Sequence, residues 1–406
     1  MKVTVNGKGL HGTIGAIASK SMAHRLLICA ALSSDPSQIR CETLSEDIKA
    51  TADCLKAMGC DLSLASGTFF ASPGEAPARA MLDCGESGST LRFLLPILGA
   101  LGITCNITLH GRLPSRPLSP LYGELVRHGM KLSPEGSNPL LVSGRLVGGT
   151  YTLRADVSSQ FISGLLFALP LCENDSKLIL TGKRESASYV EMTLSALRAF
   201  GIKVTEEKDG YTIPGKQKYR SPGTLTVEGD WSNGAFWLTA ASLGAPLTVT
   251  GLLQDSLQGD REIESALARI TSSEERTMID ACNIPDLVPI LSVAAAAQKK
   301  TTVIYNAARL RIKESDRIAT TAALLRAIGA KVQETEDGLR IKGDPEKLRP
   351  ATVDAAGDHR IAMAAAIASA QAGDITILGA EAVNKSYPAF FEDFRKLGGS
   401  VTINTL

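Results

Sequence analysis

The sequence has few histidines, no paired cysteines and no long apolar run. Its five histidines are dispersed without metal-ligand spacing, so neither a structural nor a catalytic zinc is expected. None of its eight cysteines belongs to a C-x-x-C pair, and the start carries no apolar signal segment, so we expect reduced thiols in a cytoplasmic protein. The longest apolar run, residues 161–172, is too short for a bilayer, which needs about 20 residues.

The chain also lacks an excess of charge, because 43 basic residues stand against 42 acidic ones. This balance argues against a nucleic-acid-binding or other broad polyanion-binding surface. It still allows a local basic site, since cations can cluster while the total stays near zero. The 406 residues, 44% of them hydrophobic, are enough for two or three domains with substantial cores.

A recurring pattern of amphipathic helix, glycine and strand divides the chain into similar units. It reads CLKAMGCDLSL at 54–64 and ALRAFGIKVTE at 196–206, and its glycine stands where a helix C-cap needs a left-handed residue. Most copies lie roughly 70 residues apart, but one gap is nearly twice as long and predicts a sixth unit within it. The repeated glycines are Gly59, Gly129, Gly201, Gly329 and Gly398.

A second pattern, small polar residues followed by an apolar helix, occurs at 83–98, 154–171 and 228–243. Helices that are apolar almost all round are buried. We therefore expect an α/β (α+β) fold of two domains, each with three units and with its apolar helices inside a shell of sheets. The fourth unit, which includes residues 261–286, lacks the glycine and the hairpin, so we expect fewer strands there.

Basic and hydroxyl side chains collect at three predicted helix starts, which offer free N–H groups and a positive dipole end. At 19–25, Lys20 opposes the dipole, so an anion site and a solvated helix start both fit. At 157–160, hydroxyl groups could bind phosphate, but ordinary capping is favoured from these residues alone. At 309–317, Lys313 and Arg317 would be like charges at i and i+4 beside Glu314, which is either a proton donor or part of a solvated face.

Three smaller signals add to these clusters. Residues 357–360, with the sequence GDHR, open the most alanine-rich helix, and Arg112 and Arg116 flank a proline-bounded loop. Asp286 precedes another apolar helix, where an ionised carboxylate could be a cap or a general base.

Nine motifs, taken jointly, resemble the 5-enolpyruvylshikimate-3-phosphate (EPSP) synthase family. They occur in the family's order over nearly the whole chain: SKSMAHR, GESGSTLRF, LPSRPL, VSSQF, ASYVEMT, CNIPD, RIKESDR, GDHRIAM and NKSYPAF. The resemblance implies an inside-out αβ barrel of βαβαββ-type units, with a domain of residues 1–18 and 229–406 and an inserted domain of residues 19–228. It also implies enolpyruvyl transfer from phosphoenolpyruvate to the 5-hydroxyl of shikimate 3-phosphate in chorismate biosynthesis, without cofactor or metal.

The resemblance also implies roles for individual residues. Asp286 would take the hydroxyl proton, Glu314 would protonate the methylene carbon, and Lys20 would assist both substrates. Shikimate 3-phosphate would be held by Lys20, Ser21, Arg25, Ser158, Ser159, Gln160, Ser186, Tyr189, Asp286 and Lys313. Phosphoenolpyruvate would be held by Lys20, Gly88, Ser89, Arg116, Gln160, Arg317, His359, Arg360 and Lys385.

Two departures from the family pattern and two alternative functions stay open. Glu86 and Ser89 stand where asparagine and threonine are common, which leaves the loop's contacts and its sensitivity to glyphosate undecided. A UDP-N-acetylglucosamine enolpyruvyl transferase would share fold and donor, but no catalytic-loop cysteine is evident near 110–120. A non-catalytic repeat scaffold would carry cations over one face without carboxylates near them. We expect a monomer that binds small molecules and neither nucleic acid nor membrane.

Overall fold

The computed structural model of the protein describes residues 1–404, which contain twelve α-helices and 22 β-strands. The helices are α1 (Lys20–Leu32), α2 (Glu46–Ala57), α3 (Gly88–Leu101), α4 (Leu121–Arg127), α5 (Ser159–Ala168), α6 (Ala187–Ala199), α7 (Trp231–Ser242), α8 (Ile263–Thr271), α9 (Val288–Ala296), α10 (Arg317–Ala327), α11 (His359–Ala372) and α12 (Phe390–Lys396). The strands are β1 (Lys2–Asn6), β2 (Gly12–Gly15), β3 (Ser37–Arg40), β4 (Asp61–Ala65), β5 (Thr68–Ser72), β6 (Arg79–Asp83), β7 (Thr104–Thr108), β8 (Met130–Leu132), β9 (Leu140–Gly144), β10 (Thr150–Arg154), β11 (Ser176–Thr181), β12 (Thr205–Glu207), β13 (Gly210–Ile213), β14 (Thr224–Thr226), β15 (Leu247–Thr250), β16 (Arg276–Asp280), β17 (Thr301–Tyr305), β18 (Lys331–Thr335), β19 (Gly338–Lys342), β20 (Ala351–Asp354), β21 (Ile375–Leu378) and β22 (Ser400–Asn404).

The chain divides into two compact units. One, here called the inserted unit, consists of residues 18–227, and the other, the discontinuous unit, consists of residues 1–17 and 228–406. Each has its own cluster of buried apolar side chains.

The inserted unit contains three four-stranded sheets with the same arrangement. Their strand orders are β14-β3-β5-β4, β6-β7-β9-β8 and β10-β11-β13-β12. In each sheet the first two strands are parallel and the remaining pairs are antiparallel. A parallel pair needs a crossover connection, and α3 provides it between β6 and β7, as α5 does between β10 and β11. In the remaining sheet α1 precedes β3, and the parallel edge strand β14 comes from the end of the unit. Residues 79–144 and 150–213 therefore have the βαβαββ order that the family resemblance implies.

The discontinuous unit contains two four-stranded sheets and one two-stranded sheet. The strand orders are β16-β17-β19-β18, β20-β21-β1-β22 and β15-β2. In the short unit, helix α8 ends at Thr271 and strand β16 begins at Arg276, so residues 268–280 contain no hairpin. The prediction of fewer strands in the fourth unit is confirmed.

The repeated glycine ends an outer helix in five of the six units. All five copies have left-handed backbone, with φ between 75° and 102° at Gly59, Gly129, Gly201, Gly329 and Gly398. At Gly129 an added Cβ would also lie 2.5 Å from the carbonyl oxygen of Arg145. The turn after α4 therefore needs glycine for two reasons, its conformation and the close approach of the neighbouring backbone.

The apolar helices of the units form the cores, as their sequences predict. In the inserted unit α3 packs against α5, and in the discontinuous unit α9 packs against α11. Every residue of α9 is buried, and alanine on both α9 and α11 allows close packing. All eight cysteines are buried and free. Within residues 1–404, no helix is both long and apolar enough to cross a membrane.

Candidate active site

The start of α1 carries a lysine and an arginine in different environments. Ser19 caps the helix, with its Oγ accepting from the backbone N–H of Met22 at 3.4 Å. Nζ of Lys20 lies 2.7 Å from the carboxylate of Asp47 on α2. This ion pair offsets the unfavourable position of a lysine in the first turn of a helix.

Arg25 is buried and fixes the neighbouring helix starts. Its Nη1 donates to the carbonyl oxygen of Ser21 at 2.6 Å, its Nη2 to that of Tyr189 at 2.8 Å, and its Nε to Oγ1 of Thr193 at 2.8 Å. Ser21 and Arg25 therefore lie on one turn of α1. Burial lowers the pKa of Arg25 to about 10, so the guanidinium is still charged at neutral pH and contributes a positive field to the start of α1.

The starts of α3 and α5 are joined by the side chain of Gln160. Its Nε2 donates to Oγ of Ser89 at 2.9 Å, and its Oε1 accepts from Nη1 of Arg92 at 3.4 Å. Ser158 caps α5 by accepting from the backbone N–H of Gln160 at 3.3 Å, and Ser159 is its first residue. These bonds bring three predicted site residues together around two helix N-termini.

Gly88 allows two guanidinium groups to approach the first turn of α3. A Cβ added at this position would lie 2.5 Å from Nη1 of Arg92 and 2.8 Å from Nη1 of Arg116. Both arginines are buried. The positive dipole end of α3 and these two cations favour an anion at the same place.

The start of α6 has an unusual backbone. Ser186 is buried and left-handed, with φ 51° and ψ 43°, although it is not glycine. Such a conformation costs on the order of 1 kcal/mol and is common at functional sites. The backbone N–H of Tyr189 donates to the carbonyl oxygen of Ser186 at 3.1 Å, so the turn that holds Tyr189 also presents Ser186.

In the discontinuous unit, Asp286 lies between two arginines. Its Oδ1 is 2.7 Å from Nη1 of Arg317, and its Oδ2 is 3.0 Å from Nη2 of Arg360. Burial alone would raise the pKa of Asp286, but the charges of Arg360, Lys313 and Arg317 outweigh it and hold the pKa well below its ordinary value. Asp286 is therefore an ionised carboxylate in this state.

Arg317 is shared by three carboxylates. Besides Asp286, it contacts Glu314 through Nη2 at 2.6 Å and Asp358 through Nε at 2.7 Å. Burial would lower the pKa of Arg317, but the three carboxylates raise it above its ordinary value. The arginine is thus a permanent cation that brings both predicted proton-transfer carboxylates to one guanidinium.

The expected helical spacing of Lys313 and Arg317 is wrong. Ala308–Ile312 form a 3₁₀ turn, Lys313 is extended, and α10 begins only at Arg317. The helix starts late because Asp316 caps it, accepting from the backbone N–H of Ala319 at 3.1 Å. Lys313 nevertheless belongs to the cluster, where burial lowers its pKa to about 8 against the opposing charges of Asp286 and Glu314.

The start of α11 supplies the remaining predicted residues. Asp358 caps this helix through the backbone N–H of Arg360 at 3.0 Å, and His359 between them is buried. Nζ of Lys385 donates to the carbonyl oxygen of Gly357 at 2.7 Å. His359, Arg360 and Lys385 therefore gather around the N-terminus of a single helix.

Sequence reasoning missed three charged partners of the predicted residues. They are Asp47 beside Lys20, Arg92 beside Gln160, and Asp358 beside Arg317. Arg92 and Asp358 stand inside two quoted motifs, GESGSTLRF and GDHRIAM, and Asp358 occupies a recognisable cap position. Asp47 has no such signal, because its pairing with Lys20 depends on the packing of α2 against α1.

The two units carry different sets of functional groups. The inserted unit gathers helix N-termini, hydroxyl groups and cations, which suit phosphate and carboxylate groups. The discontinuous unit gathers cations around two carboxylates, which suit proton transfer next to an anion. In the part of the chain that the structure describes, no group of three or more His, Cys, Asp or Glu side chains is placed to hold a metal ion.

Comparisons with known proteins agree over nearly the full length. Residues 5–394 match the family described as EPSP synthase (3-phosphoshikimate 1-carboxyvinyltransferase). A protein of Clostridium kluyveri with the name 3-phosphoshikimate 1-carboxyvinyltransferase is 42% identical, with 98% of each chain covered. The solved EPSP synthase of Acinetobacter baumannii has a TM-score of 0.81 and 25% identity, covering 99% of this chain and 100% of that one. The enolpyruvyl transferase NikO of Streptomyces tendae, at 19% identity, has the same fold, with a TM-score of 0.79 and coverage of 100% and 99%.

Proposed function

The chain belongs to the EPSP synthase family, and we propose that it transfers the enolpyruvyl group of phosphoenolpyruvate to the 5-hydroxyl of shikimate 3-phosphate, releasing phosphate. The observation that carries the proposal is the cluster in which Asp286 and Glu314 share Arg317. A repeat scaffold that carries cations over one face would have no carboxylates near them, whereas acid–base chemistry on an anionic substrate needs both carboxylates and cations.

Substrate charge fits the cations of both units. The two substrates together carry two phosphates and two carboxylates, and each charge-assisted hydrogen bond contributes roughly 1.5–3 kcal/mol. Lys20, Arg25 and the hydroxyl groups at the starts of α5 and α6 would hold shikimate 3-phosphate. Arg317, Arg360 and Lys385 would hold phosphoenolpyruvate, together with the start of α3.

The proposed reaction is an addition followed by an elimination. Asp286 takes the proton of the 5-hydroxyl while that oxygen bonds to C2 of phosphoenolpyruvate. Glu314, which gains a proton from solvent when the anionic substrate takes its place at Arg317, gives that proton to C3, which becomes a methyl group. The product of this step is a tetrahedral ketal that still carries the phosphate. The Glu314 carboxylate then takes a proton back from the methyl group while the bond between C2 and the phosphate oxygen breaks, which restores the double bond in the enol ether and releases phosphate.

The ion pairs of Asp286 explain how the base would be controlled. With the pKa of Asp286 held well below its ordinary value, the carboxylate is a weak base toward a hydroxyl group. A bound phosphoenolpyruvate would neutralise Arg317 and Arg360, and the pKa of Asp286 would then rise toward a useful value. Binding of phosphoenolpyruvate would thereby make Asp286 a stronger base toward the 5-hydroxyl of shikimate 3-phosphate.

Release of phosphate from phosphoenolpyruvate tests the proposal. We expect release that depends on shikimate 3-phosphate and none with UDP-N-acetylglucosamine as acceptor. Release with the nucleotide sugar alone would favour the related transferase, and no release with either acceptor would contradict the proposal. The monomeric state, the cytoplasmic location and the absence of nucleic-acid and membrane partners stay predictions.

A further inference from the structure

A buried chain of polar side chains joins helices α1, α2 and α3. Nδ1 of His24 lies 2.7 Å from Oγ1 of Thr51, which lies 2.6 Å from Oγ1 of Thr90, and this hydroxyl donates to Oγ of Ser87 at 2.7 Å. His24, Thr51 and Thr90 are fully buried, and Ser87 is 1% exposed. Three hydrogen bonds without access to water therefore connect residues far apart in the sequence.

The hydrogen bonds of this buried polar chain run in one donor-to-acceptor direction, which is set by the protonation of His24. Nε2 of His24 is buried and has no hydrogen-bond partner among residues 1–404. A buried lone pair without a partner costs less than a buried N–H without one, so we assign the proton to Nδ1. His24 then donates to Thr51, Thr51 to Thr90, and Thr90 to Ser87. Burial, with the charges of Lys20 and Arg25, holds the pKa of His24 well below its ordinary value, so the ring stays neutral.

The two ends of the chain lie at two helix starts that carry site residues. His24 follows Lys20 by one helical turn on α1, and Thr51 follows Asp47 by one turn on α2, so the ion pair and the His24–Thr51 bond are successive links between these helices. At the other end, Ser87 caps α3 by accepting from the backbone N–H of Thr90 at 3.2 Å. Its cap fixes the turn that begins with Gly88 and Ser89.

We propose that His24, Thr51 and Thr90 are positioning residues, which hold the first turns of α1 and α3 in the relative position that phosphoenolpyruvate binding requires. The inference rests on the proposed function, since Lys20 and the start of α3 are the proposed phosphoenolpyruvate contacts in the inserted unit. None of the three side chains needs to contact a substrate. They act through the placement of Lys20 and Ser89.

The test compares two substitutions at the middle of the chain. Thr51→Val keeps the shape and removes the hydroxyl, which breaks two hydrogen bonds, whereas Thr51→Ser keeps the hydroxyl. We expect Thr51→Val to raise the KM for phosphoenolpyruvate about fivefold to tenfold, with kcat changed less than the KM, and Thr51→Ser to stay within about twofold of the wild type. The matched control is Thr277→Val, which removes another buried, hydrogen-bonded hydroxyl that lies on β16 in the discontinuous unit. Its KM should be that of the wild type.

A second substitution keeps the proposal testable if Thr51→Val fails to fold. Thr90→Val interrupts the same chain nearer to α3, and it should raise the same KM. The double variant Thr51→Val/Thr90→Val should raise the KM by less than the product of the two single effects, because both changes break the Thr51–Thr90 bond. Wild-type KM values in Thr51→Val and Thr90→Val, or independent effects that multiply in the double variant, would overturn the inference. A wild-type protein that releases no phosphate would contradict the proposed function and the inference with it.

Discussion

Lys313, a half-buried lysine of the discontinuous unit, should make the binding of shikimate 3-phosphate depend on pH. Burial lowers the pKa of Lys313 to about 8 in the protein without substrate, from an ordinary value of 10.5. If Lys313 binds the 3-phosphate, the phosphate dianion favours the protonated amine. Affinity should therefore be constant below pH 8 and should fall as the pH rises past 8, where the free protein loses the proton that binding requires.

The size of the effect follows from the two pKa values. If ion pairing with phosphate restores the pKa of Lys313 to 10.5, the dissociation constant rises about tenfold between pH 7 and pH 9, which is about 1.4 kcal/mol. Arg25, whose pKa burial lowers to about 10, adds a further loss only above that window. The phosphate group itself is a dianion throughout, since its second pKa is near 6.

Calorimetric titration with shikimate 3-phosphate between pH 7 and pH 9 measures this dependence. The control is Lys313→Arg, which keeps the charge but has a pKa above 12 and should show no loss of affinity across the window. A wild-type dissociation constant that stays within about twofold from pH 7 to pH 9 would refute the reasoning, as would an equal loss in Lys313→Arg.

Three further predictions concern the same site. Asp286→Asn should bind shikimate 3-phosphate within about threefold of the wild type yet lose about 10²–10⁴ in turnover, the usual contribution of a general base; wild-type turnover would remove Asp286 from the mechanism. Arg360→Ala should weaken phosphoenolpyruvate binding by about 2–5 kcal/mol, because it removes a buried cation that would pair with the substrate. The weaker binding should appear as a higher KM in a phosphate-release assay, and an unchanged KM would contradict that role. Gly88→Ala places a Cβ 2.8 Å from Nη1 of Arg116 and should raise the same KM while calorimetry finds the affinity for shikimate 3-phosphate unchanged; loss of both affinities would indicate a general disruption of α3.

Much of the fold can be predicted from the sequence because the same two local patterns recur along the chain. In five of the six units the glycine after the outer helix fixes a left-handed turn, and the all-apolar helices have no stable position except a buried one. The short fourth unit was equally visible, since a missing glycine and hairpin leave too few residues for two more strands. These features depend on local backbone chemistry and on burial, and both act within a few residues of the signal.

The site was only partly readable, for a different physical reason. Ser19, Ser158 and Asp358 cap helices through hydrogen bonds to residues two or three positions away, so the starts of α1, α5 and α11 can be located from the sequence. The helical spacing expected for Lys313 and Arg317 failed because Asp316 starts the helix three residues after Lys313. The pairing of Asp286 with Arg317 joins residues 31 positions apart and depends on how the helix starts pack. Such contacts follow from tertiary structure, and the family resemblance named both residues without indicating that they touch.

Turnover in D2O, followed by mass spectrometry and proton NMR of the product, tests the proposed function most directly. Addition with protonation of C3 and later elimination requires solvent hydrogen to enter the methylene group. We therefore predict an enol ether at the 5-position of shikimate 3-phosphate, with deuterium in its methylene group and one phosphate released for each molecule formed. An enol ether without deuterium would contradict the addition–elimination route, and unmodified shikimate 3-phosphate in the presence of phosphoenolpyruvate would contradict the function itself.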